Sequence, residues 1–131
     1  MKTELQKILY VEDDPDIQLI GMLALQQVGG FSTVVASSGE EALGLAENCK
    51  PDLILLDVMM PGMDGITTLN KLRENLKFAD IPVIFMTAKT QKSELDSYLE
   101  SGALAVIPKP FDPMTLADQV SEIWQRDNDC G

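Results

Sequence analysis

Five short apolar runs recur along the chain, and longer stretches with a helical pattern separate them. The runs cover residues 8–11, 31–36, 53–56, 83–86 and 104–107. Apolar runs of this length that end at turn-forming or charged residues are typical of buried strands. Strands that alternate with helices predict a parallel sheet covered on both faces, because neighbouring parallel strands need a crossover connection.

Capping patterns mark the helices between these strands. We predict helices over residues 15–28, 39–48, 65–76, 91–100 and 113–126. Asp14, Ser38, Asp64 and Asp112 precede four of them, where a side-chain oxygen can accept the free N–H groups of the first turn. We therefore interpret Asp14 and Asp64 as helix caps rather than as metal ligands.

Five strands alternating with five helices indicate a flavodoxin-like α/β fold, which is a doubly wound five-stranded parallel sheet. We take the strand order 2-1-3-4-5 from that fold class, because the apolar pattern does not determine an order. We expect a single domain over residues 1–131, with its core at about 7–126 and a polar tail at 127–131. A chain of this length can bury a core without disulfides.

Charge and cysteine content exclude several classes of function. The chain carries 21 acidic and 10 basic side chains, a net charge of −11, which disfavours direct contact with a nucleic-acid backbone. Neither a membrane-length apolar run nor a secretory signal is found in the sequence, so we expect a cytoplasmic protein without membrane contact. With no histidine and two distant cysteines, Cys49 and Cys130, we expect free thiols and no zinc site.

Asp57 directly follows the apolar run 53–56 and precedes a Pro-Gly loop. A carboxylate at the end of a buried strand is costly to desolvate unless it meets a cation or is itself modified. The ends of three other strands carry groups that suit such chemistry, namely Glu12 with Asp13, Thr87 and Lys109. The carboxyl ends of neighbouring parallel strands lie about 4.8 Å apart at one edge of the sheet, which predicts that these groups meet.

Such a set of groups points to phosphoryl transfer. Mg²⁺ binds oxygen ligands and relieves the repulsion between clustered carboxylates. Carboxylate side chains are known covalent acceptors of phosphoryl groups. Lys109 would pair with the phosphoryl oxygens, the Thr87 hydroxyl would donate a hydrogen bond to them, and N–H groups of residues 59–62 would add donors. The reaction needs mainly positioning and charge stabilisation, which these groups supply.

Over residues 7–126 the chain resembles the receiver domain of two-component response regulators, in its chemotaxis-regulator-like form. The matching motifs, in order and at the family spacing, are Glu12–Asp13, Asp57, Thr87–Ala88 and Lys109–Pro110–Phe111. The resemblance implies that Asp57 is the phosphoacceptor. It implies that Mg²⁺, or alternatively Mn²⁺, is held by Glu12, Asp13, Asp57 and the backbone carbonyl of Met59. It also implies a phosphoryl-binding and switch role for Thr87, Ala88 and Lys109, and a cis peptide bond between Lys109 and Pro110.

One position departs from the family pattern. Receiver domains usually carry an aromatic residue three positions before the lysine, and this chain has Val106 there. We expect the response to rest instead on movement of the loop after the fourth strand and of the fourth helix. Pro108 is also unusual, but an edge strand tolerates proline.

The resemblance implies a stand-alone response regulator that a sensor histidine kinase or a phosphotransfer protein phosphorylates. It implies a signalling domain rather than an enzyme, although receivers assist their own phosphorylation and dephosphorylation. A downstream effector protein is expected to bind the face formed by the fourth helix, fifth strand and fifth helix.

Three alternatives stay open. The first is that the chain is an excised receiver of a longer regulator with an output domain. The length of the open reading frame would decide this alternative. An aspartyl-phosphate phosphatase on a similar fold would need a second aspartate two residues after the nucleophile, where this chain has Met59. A docking module that is never phosphorylated would not need the complete set of reactive groups.

Overall fold

The computed structural model describes residues 4–130, with side chains described for residues 4–127. Its strands are β1 (Lys7–Val11), β2 (Ser32–Ala36), β3 (Leu53–Asp57), β4 (Val83–Thr87) and β5 (Ala105–Pro108). Its helices are α1 (Pro15–Leu23), α2 (Gly39–Cys49), α3 (Gly65–Glu74), α4 (Lys92–Glu100) and α5 (Leu116–Cys130). A π-helical segment, Ala24–Val28, continues α1. The predicted alternation of five strands and five helices is confirmed.

All strand pairs are parallel, and the order is β2-β1-β3-β4-β5, so the predicted order 2-1-3-4-5 is confirmed. Asp57 at the end of β3 pairs in register with Met86, and Thr87 at the end of β4 pairs with Pro108. The carboxyl ends of β1, β3, β4 and β5 therefore face one edge of the sheet.

Apolar layers cover both faces of the sheet. One layer packs the sheet against α2, α3 and α4 and includes Ala42, Leu69 and Tyr98. The other packs it against α5 and the continued first helix and includes Leu25 and Trp124. Because both faces are buried, only the edges of the sheet are open to a ligand.

Each predicted strand lies within one residue of the observed strand at both ends, whereas the helix ends differ more. The first helix runs to Val28 as predicted, but its final segment is π-helical before Gly29. α3 ends at Glu74 rather than at residue 76, because Asn75 adopts an extended backbone. α4 begins at Lys92, one residue later than predicted.

The last helix differs from the prediction at both ends. It begins at Leu116 rather than at residue 113, and the Asp112 carboxylate accepts the N–H of Met114 in the preceding turn. It continues to Cys130, so the predicted helix end at residue 126 is wrong. Neither glycine nor proline occurs between residues 116 and 130, and nothing in the sequence stops the helix earlier. Gly131 and the Cys130 side chain lie outside the described residues.

Two acidic side chains cap helices as interpreted from the sequence. Asp14 accepts the N–H groups of Asp16 and Ile17 at 2.9 and 3.3 Å. Asp64 accepts the N–H of Thr67 at 2.9 Å. Among the helices of residues 4–130, none is long and apolar enough to cross a membrane.

Gly21 lets α1 approach β1 closely. A Cβ atom at this position would overlap the ring of Tyr10, which is fully buried and whose hydroxyl donates to the Ile17 carbonyl at 3.4 Å. We predict that Gly21→Ala lowers the free energy of unfolding by about 1–3 kcal/mol through overpacking.

The matched control is Gly44→Ala in α2, where nothing lies within 4 Å of an added Cβ. That substitution should raise stability by about 0.5–1 kcal/mol, because alanine favours a helix more than glycine does. Urea unfolding of both variants measures the difference, and equal effects at the two positions would contradict the packing argument.

Candidate functional site

The carboxyl-terminal edge of the sheet brings together most of the polar residues singled out from the sequence. Glu12 follows β1, Asp57 ends β3, Thr87 ends β4 and Lys109 follows β5. Since β1, β3, β4 and β5 are consecutive in the sheet, these residues share one side of the molecule.

Three carboxylates form a cluster at this edge. One oxygen from each of Glu12, Asp13 and Asp57 lies within 4.8 Å of the other two. Glu12 is 1% exposed and Asp57 is 3% exposed, whereas Asp13 is half-buried. Backbone donors hold the two buried side chains, since Asp14 N–H donates to Glu12 Oε2 and Met59 N–H donates to Asp57 Oδ1, each at 3.1 Å.

Lys109 joins the cluster as its cation. Its Nζ lies 2.8 Å from Glu12 Oε1 and 3.3 Å from Asp57 Oδ2. Its backbone N–H donates to the Thr87 carbonyl at 2.9 Å, and its peptide bond to Pro110 is cis. Burial alone would lower the pKa of Lys109, but the hydrogen bond to Glu12 and the charge of Asp57 outweigh burial and raise it. The ammonium group therefore stays charged.

The charges at the site do not balance. Desolvation raises the pKa of Glu12 from 4.5 to about 7, against the hydrogen bonds from Lys109 and Asp14, and repulsion by Asp57 adds to the rise. When all groups are ionised, three carboxylates face one ammonium, which leaves two negative charges uncompensated. A divalent cation would cancel this excess.

The donor set fits a hard divalent cation. Glu12, Asp13 and Asp57 offer carboxylate oxygen only, which suits Mg²⁺ or Mn²⁺ rather than a metal that prefers nitrogen or sulfur ligands. Coordination by the backbone carbonyl of Met59 stays a prediction.

The loop after Asp57 is held closely against the start of α3. Gly65 N–H donates to the Val58 carbonyl at 2.9 Å. A Cβ at Gly65 would overlap the Asp57 carbonyl group and the backbone of Val58, so this approach requires glycine. The Met59 side chain is 55% exposed and lines the pocket over the acidic cluster.

Thr87 is fully buried, and its hydroxyl is directed to the loop that leads to α4. Thr87 Oγ1 accepts the N–H of Lys89 at 3.0 Å. Ala88, between them, is exposed and lines the pocket. The Thr87 side chain is therefore tied to this loop, and a rotation toward the strand end would break the contact.

Val106 is half-buried on β5, packed against the core cluster on the α4 side of the sheet. It pairs in register with Phe85 of β4. No aromatic ring therefore extends from this position of β5.

The sequence reasoning missed an apolar rim around the pocket. Ile17 and Ile20 of α1 line one side of the pocket, and Phe111 and Pro113 of the β5–α5 loop line another. Ile20 is 45% exposed. The sequence contained a signal for this rim, because residues 17–23 are apolar at nearly every position. One buried face of a helix accounts for only part of such a run, so the remaining apolar side chains have to be exposed.

Comparisons with a family model and with curated proteins agree with each other. Residues 8–121 match the family model described as the response regulator receiver domain. The chain is 40% identical over 130 residues to the DNA-binding response regulator MtrA of Mycolicibacterium smegmatis, which covers 98% of this chain and 55% of that protein. It is 40% identical over 122 residues to the alkaline phosphatase synthesis transcriptional regulatory protein PhoP of Bacillus subtilis, which covers 92% and 49%. The chain thus spans about half the length of the curated relatives it matches.

Solved structures share the fold. The chemotaxis response regulator CheY4 of Vibrio cholerae superposes with a TM-score of 0.84 at 28% identity, covering 92% of this chain and 99% of that one. A putative response regulator from Chloroflexus aurantiacus gives a TM-score of 0.82 at 31% identity, covering 92% and 98%.

The raised pKa of Glu12 predicts a stability that depends on pH in metal-free protein. Between pH 4.5 and about 7 the folded state keeps a proton on Glu12 that the unfolded state has released. The free energy of unfolding therefore falls as the pH rises through this window. At about 1.4 kcal/mol per pKa unit, the loss is at most about 3–4 kcal/mol.

Urea unfolding in EDTA across this pH range tests the prediction. Glu12→Gln should flatten the dependence, because the amide stays neutral. Glu40→Gln, at an exposed glutamate of α2, should not. An unchanged slope in Glu12→Gln would show that other groups set the dependence.

Proposed function

Since the chain belongs to the response regulator receiver domain family, we propose that Asp57 accepts a phosphoryl group from a sensor histidine kinase or a phosphotransfer protein. The observation that carries the proposal is the position of Asp57, a buried aspartate that contacts one ammonium and has an oxygen of each of two further carboxylates within 4.8 Å. Receiver domains are signalling domains, and the modification would switch a surface that binds another protein. We place this signalling in the cytoplasm.

In the proposed reaction an Asp57 carboxylate oxygen attacks the phosphorus atom of the donor. The new oxygen–phosphorus bond forms as the bond from phosphorus to the donor's leaving group breaks, and the leaving group keeps the electron pair. The Met59 N–H, 3.1 Å from Oδ1, fixes the carboxylate for this attack. Positioning of this kind supplies much of the rate in phosphoryl transfer.

Glu12, Asp13 and Asp57 are the residues proposed to hold Mg²⁺, for which Mn²⁺ can substitute. When bound, the ion supplies positive charge beside the transferring oxygens. Lys109 already contacts Asp57 and would pair with a phosphoryl oxygen on that side chain. The Thr87 hydroxyl would donate to another, in exchange for its contact with the Lys89 N–H.

The donor has to approach through the open side of the pocket, because the sheet and helices close the other sides. It would then meet the apolar rim formed by Ile17, Ile20, Phe111 and Pro113. Leu19 and Leu23 extend the exposed apolar surface along α1. We propose that this rim contacts the phosphodonor, since apolar contact there brings the donor's phosphoryl group to Asp57.

We propose that a downstream effector protein binds the face formed by α4, β5 and α5. Phosphorylation replaces one carboxylate charge by about two phosphoryl charges. That change acts next to Thr87. The Thr87 hydroxyl accepts the N–H of Lys89, which lies in the loop that leads into α4. Direct nucleic-acid contact by this acidic domain is not part of the proposal.

A second candidate function is control of an output domain in a longer chain. The two relatives described above, named as a DNA-binding response regulator and a transcriptional regulatory protein, match this chain over only 55% and 49% of their length. The length of the open reading frame distinguishes this candidate from a stand-alone regulator. The phosphatase alternative is weaker, because Met59 occupies the position where such an enzyme needs an acid.

Phosphorylation is tested by incubating the protein with acetyl phosphate and Mg²⁺ and weighing it intact. We expect a gain of one phosphoryl group, which EDTA suppresses and Asp57→Asn abolishes. Asp64→Asn is the matched control, because Asp64 is an exposed helix cap and that variant should still be phosphorylated. A gain that persists in Asp57→Asn, or no gain in the unaltered protein, would refute the proposal.

Met59 predicts slow hydrolysis of the phosphorylated form. Its thioether stands at the pocket and is a weak hydrogen-bond acceptor that cannot orient an attacking water. Met59→Asn should speed loss of the phosphoryl group by about tenfold, the effect of one added hydrogen bond. The decay of the phosphorylated mass measures the rate, and Met114→Asn, at a methionine that is 67% exposed, is the control. Equal decay in both variants would contradict the role given to Met59.

A further inference from the structure

Although β5 carries no aromatic residue at Val106, the structure supplies a ring to the same region from another element. Tyr98 of α4 is 5% exposed and packs edge-on against Phe85 of β4, with 5.7 Å between ring centroids and 89° between planes. Phe85 pairs in register with Val106, and Tyr98 belongs to the same apolar cluster. The small Val106 of β5 and the large Tyr98 of α4 thus lie in the same apolar cluster.

Tyr98 and the reactive edge of the sheet are joined through β4 and through the loop that leads into α4. Phe85 and Thr87 stand two residues apart on β4, so their side chains lie on the same face of the sheet. Thr87 Oγ1 accepts the N–H of Lys89, which lies in the loop that leads into α4. Phe85 holds α4 directly through Tyr98. Residue 87 is therefore connected to α4 along the loop and across the aromatic pair.

We infer that Tyr98 is the positioning residue that couples Thr87 to α4, in place of an aromatic residue on β5. The inference rests on the proposed phosphorylation of Asp57. When the Thr87 hydroxyl turns to a phosphoryl oxygen, the Lys89 N–H loses its acceptor and the loop over residues 88–91 adjusts. The edge-to-face contact with Phe85 keeps α4 packed on β4 as the loop adjusts, so that α4 shifts as a unit with the loop.

The location of the ring decides which surface changes. Because Tyr98 is part of α4, the ring and the helix move together, whereas a ring on β5 would move relative to the helix. Leu99, the next residue, is 49% exposed and would be displaced with it. The phosphorylation-dependent surface is therefore α4 itself, around Leu99.

Hydrogen exchange of the full chain, with and without beryllofluoride and Mg²⁺ as a phosphoryl mimic, tests the inference. In the unaltered protein we expect the mimic to change exchange in both the 88–91 loop and α4, by about fivefold or more in α4. In Tyr98→Ala the loop should still respond while the α4 response is lost. Tyr98→Phe keeps the ring contact and should keep the α4 response.

Two further variants separate coupling from stability. Tyr98→Leu fills most of the space without a ring, and it should lose the α4 response even where Tyr98→Ala folds poorly. Leu99→Ala, on the exposed side of the same helix, should respond like the unaltered protein. An α4 response in Tyr98→Leu equal to that of the unaltered protein would overturn the inference.

Failure of the inference differs from failure of the proposed function. If the mimic changes the 88–91 loop but not α4 in the unaltered protein, the coupling through Tyr98 is wrong while phosphorylation at Asp57 stands. If acetyl phosphate leaves the mass of the protein unchanged and the mimic changes no segment, both are wrong.

Discussion

The structure depends on placing buried carboxylates beside one lysine at the edge of a parallel sheet. Glu12 and Asp57 have lost nearly all of their water, and such groups are costly unless they are paired. Lys109 contacts both, and its backbone is tied to the end of β4. The strand order makes this possible, because it puts β1, β3, β4 and β5 side by side. An order that placed β2 between these strands would separate the charges.

Much of the fold could be predicted because its signals are local. Each strand is a short apolar run, and Asp14 and Asp64 cap helices through contacts within three residues in sequence. The end of α5 was mispredicted because polarity was taken as a sign of a tail, although helix propensity depends on backbone and rotamer freedom rather than on polarity. The order of the strands came from knowledge of the fold class, since a pattern of apolar runs contains no pairing information.

The candidate site also contains residues that the sequence predicts and residues that only tertiary packing reveals. Glu12, Asp13, Asp57 and Lys109 were found from the sequence because strand ends of a parallel sheet share an edge. The rim residue Ile20 was not, because exposure of one helix face depends on how α1 is rotated against the sheet. Tyr98 was missed for a related reason: its contact with Phe85 joins elements that only tertiary packing brings together. Val106 showed that a ring was missing, but not which residue would fill the space.

The ammonium of Lys109 has a consequence for how the domain responds to its surroundings. Because it bridges Glu12 and Asp57 directly, the chain contains a resident counterion and can assemble its core without waiting for a dissolved one. Folding and the phosphorylation proposed above would therefore draw on different sources of positive charge. If the proposal holds, a fall in the supply of divalent ions would stop phosphorylation without unfolding the domain, and the reaction would resume once the supply returned.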